Sequence, residues 1–470
     1  MRGAAMQEIL TTQFVWAVLL VGGLMGVVVL AKAPELLVAV LLVGPEYIQF
    51  ILRILGYPVS RRTFAAAGAV VFIPVVILFL VMRMVQVRER EPIIGRPNFS
   101  FVGVALVMGV WLLVGLTYTD SWWYGDRKTA EYFMFGLAPM FLPFVFLRDR
   151  TSVRRFLFWA ILVAGTYVLI ASSYSLATEG TIFAALPFRV SEQVGMAIPG
   201  HGVLSTPLVI TMGALLAFSA SRTSGKLRVL PILLLPVVAL YIVLAGTRSN
   251  LVSFLFVSSV GFWFTYKKHR AAFLVALLVL AITAALLVAY APPEVQERMF
   301  SSWIEPKTRH GAGGAERIEH LKAVPAQFVQ APILGHGTGD WPLLYTGLEW
   351  YAFPHNMFAE ILVENGLVGL FILLTLWFVV VRRIWRILRD GEPGTGLYGI
   401  AVFGGCLLAI ETTNALAHFG IAHAACTFLL TSAVTLRATY LEQEAVTSEA
   451  RPPGEIDTLV RPVLKAGPLA

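Results

Sequence analysis

The sequence predicts an all-α polytopic membrane protein with about 12 (12–13) transmembrane helices and one long outer loop that contains amphipathic helices. Three observations predict this class. Of the 470 residues, 57% are hydrophobic and 14% are charged, which lies outside the composition of soluble domains. Apolar runs of nearly twenty residues recur along the chain, and clusters of Lys and Arg alternate with loops of other composition. Because the apolar runs are long, we expect helices rather than a barrel.

The domain organisation follows from the positions of these runs. The N-terminal region leaves one alternative open, because the apolar piece 34–55 can be a full span or an interfacial helix. Clear spans are predicted at 99–117, 131–147 and 358–381, among others. The predicted division is transmembrane helices 1–10 with short loops in 1–291, a long loop in 292–355, the last two transmembrane helices in 356–437, and a flexible cytoplasmic tail in 438–470.

The charge pattern orients the chain. Basic clusters such as those in 148–155 and 382–389 mark cytoplasmic loops. The loops between them, including 118–130 and 292–355, then face the outer side. The net charge of +8 therefore reflects membrane topology, and we expect no nucleic-acid partner.

Two stretches of the long loop carry local signals. Segment 315–330 has apolar residues at Ile318, Leu321, Val324 and Phe328, which predicts an amphipathic helix along the membrane surface that Pro325 can kink. The following GHGTG, residues 335–339, invites a phosphate-loop interpretation. No Lys-Ser or Lys-Thr pair follows it, so we favour glycines that form a tight turn.

Arginines in three outer loops are candidates for anion binding. Arg248 lies at the outer end of a predicted span, Arg189 in the loop 175–202 and Arg317 in the amphipathic segment. A charge at membrane depth is expensive unless it has a partner. Each can alternatively extend towards lipid headgroups. Guanidinium groups can donate two parallel hydrogen bonds to phosphate oxygens.

The sequence FPHNMFAEILVENGLVGL, residues 353–370, places polar residues at the start of a membrane span. His355 can act as a general base near neutral pH or can be an interfacial or capping residue. Asn356 can cap the helix. Glu360 and Glu364, four positions apart, share one helix face. Neutralisation of the arginines is the favoured interpretation of these acids over direct catalysis.

Other histidines support two further hypotheses. The spacing of His201, His310, His320 and His336 matches no ligand pattern, so we expect no metal site. Glu411, His418 and His423 form the best candidate proton path for a secondary transporter.

The residues at several of these places together resemble the O-antigen ligase superfamily, which includes O-antigen ligases and the polymerases of O-antigen and exopolysaccharide repeat units. The match spans roughly 100–436 and is strongest at 246–370. The residues that carry it are His355, Asn356, Gly366 and Gly369; GTRSNL around Arg248; Arg189, Ser191, Pro199 and Gly200; and Glu316, Arg317, Pro332, Leu334, Gly335 and Gly337.

The resemblance implies a multi-pass glycosyltransferase of the bacterial inner membrane that works on the periplasmic side in lipopolysaccharide or polysaccharide biosynthesis. Its donor would be a glycan linked to undecaprenyl diphosphate, and its acceptor a lipid A core or a repeat unit. Arg248, Arg317 and Arg189 would hold the diphosphate together with Asn356, and His355 would be the base of an inverting, metal-independent transfer that uses no cofactor. The alternative is a secondary transporter or polysaccharide flippase.

A carbohydrate partner gives the outer aromatic residues a second interpretation. They can stack on sugar rings, or they can form the aromatic belt at the membrane interface. The residues concerned are Trp122, Trp123, Tyr124, Trp341, Tyr345, Trp350 and Tyr351.

Overall fold

A computed structural model describes part of the chain and is helical there, with no β-strand among the described residues. The described residues are 33–40, 99–147, 149–179, 255, 259, 263, 270–290, 314–349, 354, 356–390, 401, 429–430, 432–438 and 440–441.

The helices have the following bounds. A π-helical turn, Tyr132–Leu137, joins α2 to α3 without interruption. The elements are α1 (Phe99–Leu116), α2 (Trp122–Glu131), α3 (Ala138–Met140), α4 (Leu142–Phe146), α5 (Arg150–Glu179), α6 (Arg270–Tyr290), α7 (Gly314–Gln330), α8 (Trp341–Thr346) and α9 (Met357–Asp390).

Two helical runs in the described part are long and apolar enough to cross a bilayer. They are Trp122–Phe146, with 25 residues, and Met357–Arg389, with 33 residues, against the ~20 residues that a span requires. Phe101–Leu116 is a shorter apolar helix. The predicted helical class is confirmed to this extent, and the number of about 12 spans stays a prediction, as does the long periplasmic loop.

The helix predicted as the span 131–147 begins earlier than the sequence suggested. We expected an outer loop at 118–130, but α2 starts at Trp122, so only residues 117–121 connect α1 to α2. The loop was predicted because this region contains polar residues such as Arg127 and Lys128. They are compatible with a helix because each has a partner: Arg127 pairs with Glu131 at 2.9 Å, and Lys128 pairs with acids on α9.

The last described long helix is broken. Gly366 in α9 has φ 63° and ψ −164°, which interrupts the helical hydrogen-bond ladder. The break divides α9 into two pieces, residues 357–365 and 367–390. We name them the outer and the inner segment after the predicted topology. The predicted continuous span at 358–381 therefore consists of two helical pieces.

Helix α1 packs against α9 next to this break. The Trp111 indole donates a hydrogen bond of 3.3 Å to the carbonyl of Asn365. A Cβ atom at Gly369 would lie 3.2 Å from the Trp111 indole nitrogen. The predicted role of Gly366 and Gly369 in close packing is thus confirmed, because a Cβ at Gly366 would also lie 2.2 Å from the Ile333 carbonyl oxygen.

Helix α7 confirms the predicted helix at 315–330 and continues through Pro325. Only part of its apolar face packs inside the protein, and the predicted position of this face along the membrane surface stays a prediction. Val324 is buried, whereas Ile318 and Leu321 are 54% and 41% exposed. His320 takes the inner position instead, because it stacks on Tyr345 with the ring centroids 4.2 Å apart. Behind this contact, α7, α8 and the outer segment of α9 share a small core of Val324, Trp341, Ala359 and Val363.

Candidate functional site

Asn356 caps the outer segment of α9. Its side-chain oxygen accepts hydrogen bonds from the backbone N–H groups of Phe358 at 3.0 Å and Ala359 at 3.1 Å. Its backbone carbonyl accepts the first helical bond, from Glu360 at 2.9 Å. The predicted cap is confirmed, and it satisfies two of the amides that a helix start leaves without intrahelical partners.

A buried ion cluster lies within the first two turns after this cap. The Lys128 ammonium contacts a carboxylate oxygen of Glu360 and lies 2.6 Å from a carboxylate oxygen of Glu364. All three side chains are at most 1% exposed. The spacing of four places both acids on the face of α9 that meets α2. The cation that the described residues place against these acids is therefore this lysine. That the acids neutralise the outer arginines stays a prediction, because the side chains of those arginines lie outside the described residues.

Glu364 also holds the segment that precedes α8. Its carboxylate accepts hydrogen bonds from the backbone N–H of Gly339 at 2.9 Å and that of Trp341 at 3.4 Å. One buried carboxylate thus joins α2, α9 and the glycine-rich segment. Hydrogen bonds to an ionised acceptor are stronger than those between neutral groups, so this junction is well fixed.

Asp340 fixes the turn between α1 and α2. One of its carboxylate oxygens accepts hydrogen bonds from the Thr119 hydroxyl at 2.7 Å and the Ser121 backbone N–H at 2.8 Å. It also accepts one from the backbone N–H of Asp120 at 3.0 Å. Burial raises the pKa of Asp340 to about 6, and the nearby charge of Glu364 adds to this effect, while the hydrogen bonds oppose it.

The glycine-rich segment fills the break in α9. The backbone N–H groups of His336 and Gly337 donate to the carbonyls of Val363 and Glu364, at 3.0 and 2.8 Å. These carbonyls are among those that the helix break leaves without an intrahelical hydrogen-bond donor. On the other side of Gly366, the N–H of Leu367 donates to the Pro332 carbonyl at 2.9 Å, and that of Val368 to the Ile333 carbonyl at 3.3 Å. The polar backbone groups on both sides of the break are satisfied in this way, as a low-dielectric environment requires.

This pairing decides between the two interpretations of GHGTG. The five backbone N–H groups from Gly335 to Gly339 all donate to protein oxygens. Besides the two bonds just described, Gly335 donates to the Ala331 carbonyl, Thr338 to the Gly115 carbonyl and Gly339 to the Glu364 carboxylate. A phosphate-binding loop needs amides that are free for the ligand. The phosphate-loop hypothesis is therefore wrong, and the glycines serve a turn.

The glycines are required because backbone segments approach closely there. Gly337 has φ 124°, and a Cβ atom on it would lie 2.5 Å from the Cα of Thr119. Gly339 has φ 92°, and a Cβ atom on it would lie 2.4 Å from the backbone nitrogen of Gly125. Both positions combine a left-handed backbone with a lack of space, which only glycine satisfies.

A small hydrogen-bond network lies next to the ion cluster and completes the site. The Thr338 hydroxyl donates to the Leu112 carbonyl at 2.9 Å and accepts from the Asn365 amide at 3.0 Å. These two polar side chains are fully buried. They link the glycine-rich segment to α1 and to the end of the outer segment of α9.

The aromatic residues divide into two groups. Trp341 is fully buried and stacks on Tyr345, with the ring centroids 5.5 Å apart, so in this structure it is neither a sugar platform nor part of a belt. Trp122 and Trp123 at the start of α2 are 63% and 48% exposed, and both interpretations stay open for them. Tyr124 is buried; Trp350 and Tyr351 lie outside the described residues.

Most of the proposed catalytic residues fall outside the described part of the chain. Arg189, Arg248 and His355 do so, and Arg317 is described only by its backbone, which belongs to α7. Their convergence stays a prediction. Glu411, His418 and His423, the residues of the transporter hypothesis, also lie outside the described residues, as do His201 and His310.

The two other outer histidines have structural contacts. His320 stacks on Tyr345, and the His336 ring nitrogen Nε2 lies 2.9 Å from the Gln327 carbonyl.

Sequence reasoning missed Lys128, Asp340, Thr338 and Asn365. One signal could have found Lys128: two acids four positions apart in an apolar helix require a cation, and this lysine directly precedes a predicted span. No comparable local signal existed for Asp340 or Thr338, because their partners lie more than 200 positions away.

Comparison with known proteins agrees with the resemblance. Residues 231–374 match the family model of the O-antigen ligase domain, Wzy_C. No curated protein matches the chain. The matched segment includes Arg248, Arg317, His355 and Asn356, and it also includes Glu360 and Glu364, whereas Lys128 and Arg189 lie before it. Residues 231–374 are therefore similar to the O-antigen ligase domain.

Proposed function

We propose that the protein transfers a glycan from undecaprenyl diphosphate to a sugar hydroxyl of an acceptor on the periplasmic side of the bacterial inner membrane. The observation that carries this proposal is the O-antigen ligase family match at residues 231–374. Within this segment lie Arg248, Arg317 and the His355–Asn356 pair, whose side chains suit a diphosphate leaving group and a hydroxyl nucleophile.

The reaction is a single displacement at the anomeric carbon of the donor glycan. The acceptor oxygen forms a bond to this carbon while the bond to the diphosphate oxygen breaks, which inverts the configuration. His355 takes the proton of the acceptor hydroxyl. Undecaprenyl diphosphate leaves with the bonding electron pair, and Arg248, Arg317 and Arg189 stabilise its growing negative charge. Neither a metal ion nor another cofactor takes part in this proposal.

Asn356 supports donor binding through the helix that it caps. The capped N-terminus of α9 carries the positive end of a helix dipole, and the side-chain contacts to Phe358 and Ala359 define where this end lies. An anion is favoured near such an end. The position directly follows His355 in sequence, so the diphosphate and the base would meet at the start of α9.

Two acceptors are compatible with this chemistry. Transfer to the lipid A core makes the protein an O-antigen ligase, and transfer to another repeat unit makes it an O-antigen or exopolysaccharide polymerase. Both reactions use the same donor and the same bond-forming step. The acceptor therefore has to be identified by experiment.

The broken helix α9 gives one observation in favour of the alternative, a secondary transporter or polysaccharide flippase. Transporters use interrupted helices whose open backbone groups face a substrate cavity. In α9, however, groups on both sides of Gly366 bind residues 332–337. The break therefore anchors a loop, and glycosyl transfer remains the better-supported function.

The test uses purified protein with a glycan linked to undecaprenyl diphosphate. Loss of the base in His355→Ala is expected to lower the transfer rate by about 10²–10⁴-fold. Arg248→Ala and Arg317→Ala are expected to lower it by about 10²–10³-fold. Arg382→Ala is the matched control, because this exposed arginine lies over the Phe378 ring on the inner segment of α9.

The acceptor arms of the same experiment separate the candidate functions. Product formation with lipid A core oligosaccharide indicates a ligase, and elongation of the lipid-linked glycan indicates a polymerase. Full activity of His355→Ala would refute the proposed base. Movement of the lipid-linked glycan across the membrane of vesicles, without formation of a glycosidic bond, would favour the flippase.

A further inference from the structure

The buried ion cluster joins a part of the chain inside the family match to a part that lies before it. Glu360 and Glu364 lie within the matched segment 231–374, whereas Lys128 lies about a hundred positions before it. The lysine reaches both acids from α2. The outer segment of α9 thus depends on a residue that the family match does not cover.

The outer segment of α9 needs an external support. The break at Gly366 removes the hydrogen bonds that would continue the helix into its inner segment. With a rise of about 1.5 Å per residue, Glu360 lies about 6 Å and Glu364 about 12 Å along the helix from Asn356. Lys128 therefore binds the segment at two successive turns between the cap and the break, and it opposes both tilting and rotation.

The charges of the cluster restrict the orientation of the outer segment. Buried ion clusters add little net stability, since apolar residues of similar volume can often replace them, but in some proteins they select one arrangement of elements. Here the acids must face α2 to reach the ammonium, and Glu364 must also reach the Gly339 amide. A sliding or rotated outer segment would leave buried carboxylates without these partners.

We propose that Lys128 is a positioning residue, whose ammonium fixes the outer segment of α9 and thereby the His355–Asn356 pair at its start. The catalytic consequence rests on the proposed function of His355. Lys128 itself does not touch the reacting atoms in this proposal. Its effect is on where the base and the helix N-terminus stand relative to the donor diphosphate.

The test variant removes the ion cluster without leaving an unbalanced charge. Lys128→Met alone removes a cation that contacts two buried acids, and such a protein can fail to fold. The triple variant Lys128→Met, Glu360→Gln, Glu364→Gln has no charge at these positions. Lys322→Met is the matched control, because this exposed lysine pairs only with the exposed Glu319 among the contacts that the structure describes.

Hydrogen–deuterium exchange of the full-length protein in detergent is the primary measurement. In the triple variant, we expect amides of the outer segment, Met357–Asn365, to exchange about tenfold faster, while those of the inner segment do not change. Lys322→Met should match the wild type in both segments. Unchanged exchange in the outer segment of the triple variant would refute the positioning role, and so would equally faster exchange in both segments.

Kinetics give the second measurement. We expect the triple variant to lose at least about tenfold in kcat, with a KM for the lipid-linked donor within about threefold of wild type. A wild-type kcat together with faster exchange would refute the link to catalysis. A wild-type protein without any transfer activity would refute the proposed function, and the exchange result would still decide whether Lys128 positions the segment.

Discussion

The Asp340 carboxylate and the Thr119 hydroxyl form a hydrogen bond of 2.7 Å that joins the glycine-rich segment to the turn between α1 and α2. The two residues are 221 positions apart, and both are buried. Asp340 holds the backbone of Asp120 and Ser121 in the same way. The exposed Trp122 and Trp123 follow directly, so this contact sets the position of the outer end of α2.

Burial of the Asp340 carboxylate predicts a dependence of stability on pH. The pKa of Asp340 rises from 3.8 to about 6 on folding, so the folded protein binds a proton here more tightly than the unfolded chain. The stabilisation is present below about pH 4 and is lost as pH rises through about 6. Relative to Asp340→Asn, the wild-type melting temperature should therefore fall between pH 4 and pH 6.5.

The measurement is thermal unfolding in detergent across this pH range. Asp340→Asn suits the comparison because its amide oxygen can still accept the bond from Thr119. Asp126→Asn, which changes an exposed acid on α2, controls for loss of a carboxylate. Parallel pH profiles of the wild type and Asp340→Asn would contradict the raised pKa.

Gly337→Ala should destabilise the protein strongly. The backbone at Gly337 has φ 124°, and the added methyl group would lie 2.5 Å from the Cα of Thr119. Strain of the backbone and overpacking together should lower the free energy of unfolding by roughly 3 kcal/mol or more. Thermal unfolding in detergent measures this loss directly.

Gly347→Ala is the control for the backbone part of this effect. Gly347 also has a positive φ, 72°, but nothing lies within 4 Å of its Cβ position. We expect a loss of only about 1 kcal/mol there. Equal losses at the two glycines would show that the close approach of Gly337 to Thr119 is not present in solution.

The parts of the fold that could be predicted from sequence depend on neighbouring residues. The helix at 315–330 follows from spacing within one segment, and the cap at Asn356 involves amides only two and three positions away. Such features are determined by local backbone geometry. The close packing at Gly366 and Gly369 was also predictable, because small residues at this spacing permit close approach.

Long-range contacts could not be predicted in this way. Lys128 and Glu364 are 236 positions apart. The two acids indicate that a cation is needed, but no local pattern identifies this lysine as that cation. The break at Gly366 is likewise stable only because residues 332–337 supply its hydrogen-bond partners. The inward position of His320 on α7 could not be predicted either, since its stacking partner Tyr345 lies on another helix.

The buried network around Thr338 leads to a further prediction. Thr338→Val keeps the shape of the side chain but removes the hydroxyl that serves the Leu112 carbonyl and the Asn365 amide. Both groups would lose a partner in a buried site, which should cost about 2 kcal/mol. The loss is measured by thermal unfolding in detergent.

Thr375→Val is the matched control for this substitution. Among the described residues, the partner of the Thr375 hydroxyl is the carbonyl of Phe371 in its own helix, at 2.7 Å and at an exposed position of α9. We expect a change in unfolding free energy within about 0.5 kcal/mol. A similarly small change for Thr338→Val would contradict the network.

Asn356 variants can separate capping from donor binding. Asn356→Ala removes the acceptor for the amides of Phe358 and Ala359, which should cost about 1 kcal/mol of stability. Asn356→Asp keeps an acceptor there, and its negative charge is favourable at a helix N-terminus. We therefore expect Asn356→Asp to be as stable as the wild type or more stable.

The same aspartate would oppose an anionic donor. If the diphosphate binds near the start of α9, Asn356→Asp should raise the KM for the lipid-linked glycan by about tenfold or more through charge repulsion. Asn356→Ser keeps an uncharged cap and should leave this KM close to the wild-type value. An unchanged KM in Asn356→Asp, together with retained stability, would place the diphosphate away from the N-terminus of α9, because a nearby like charge would weaken donor binding.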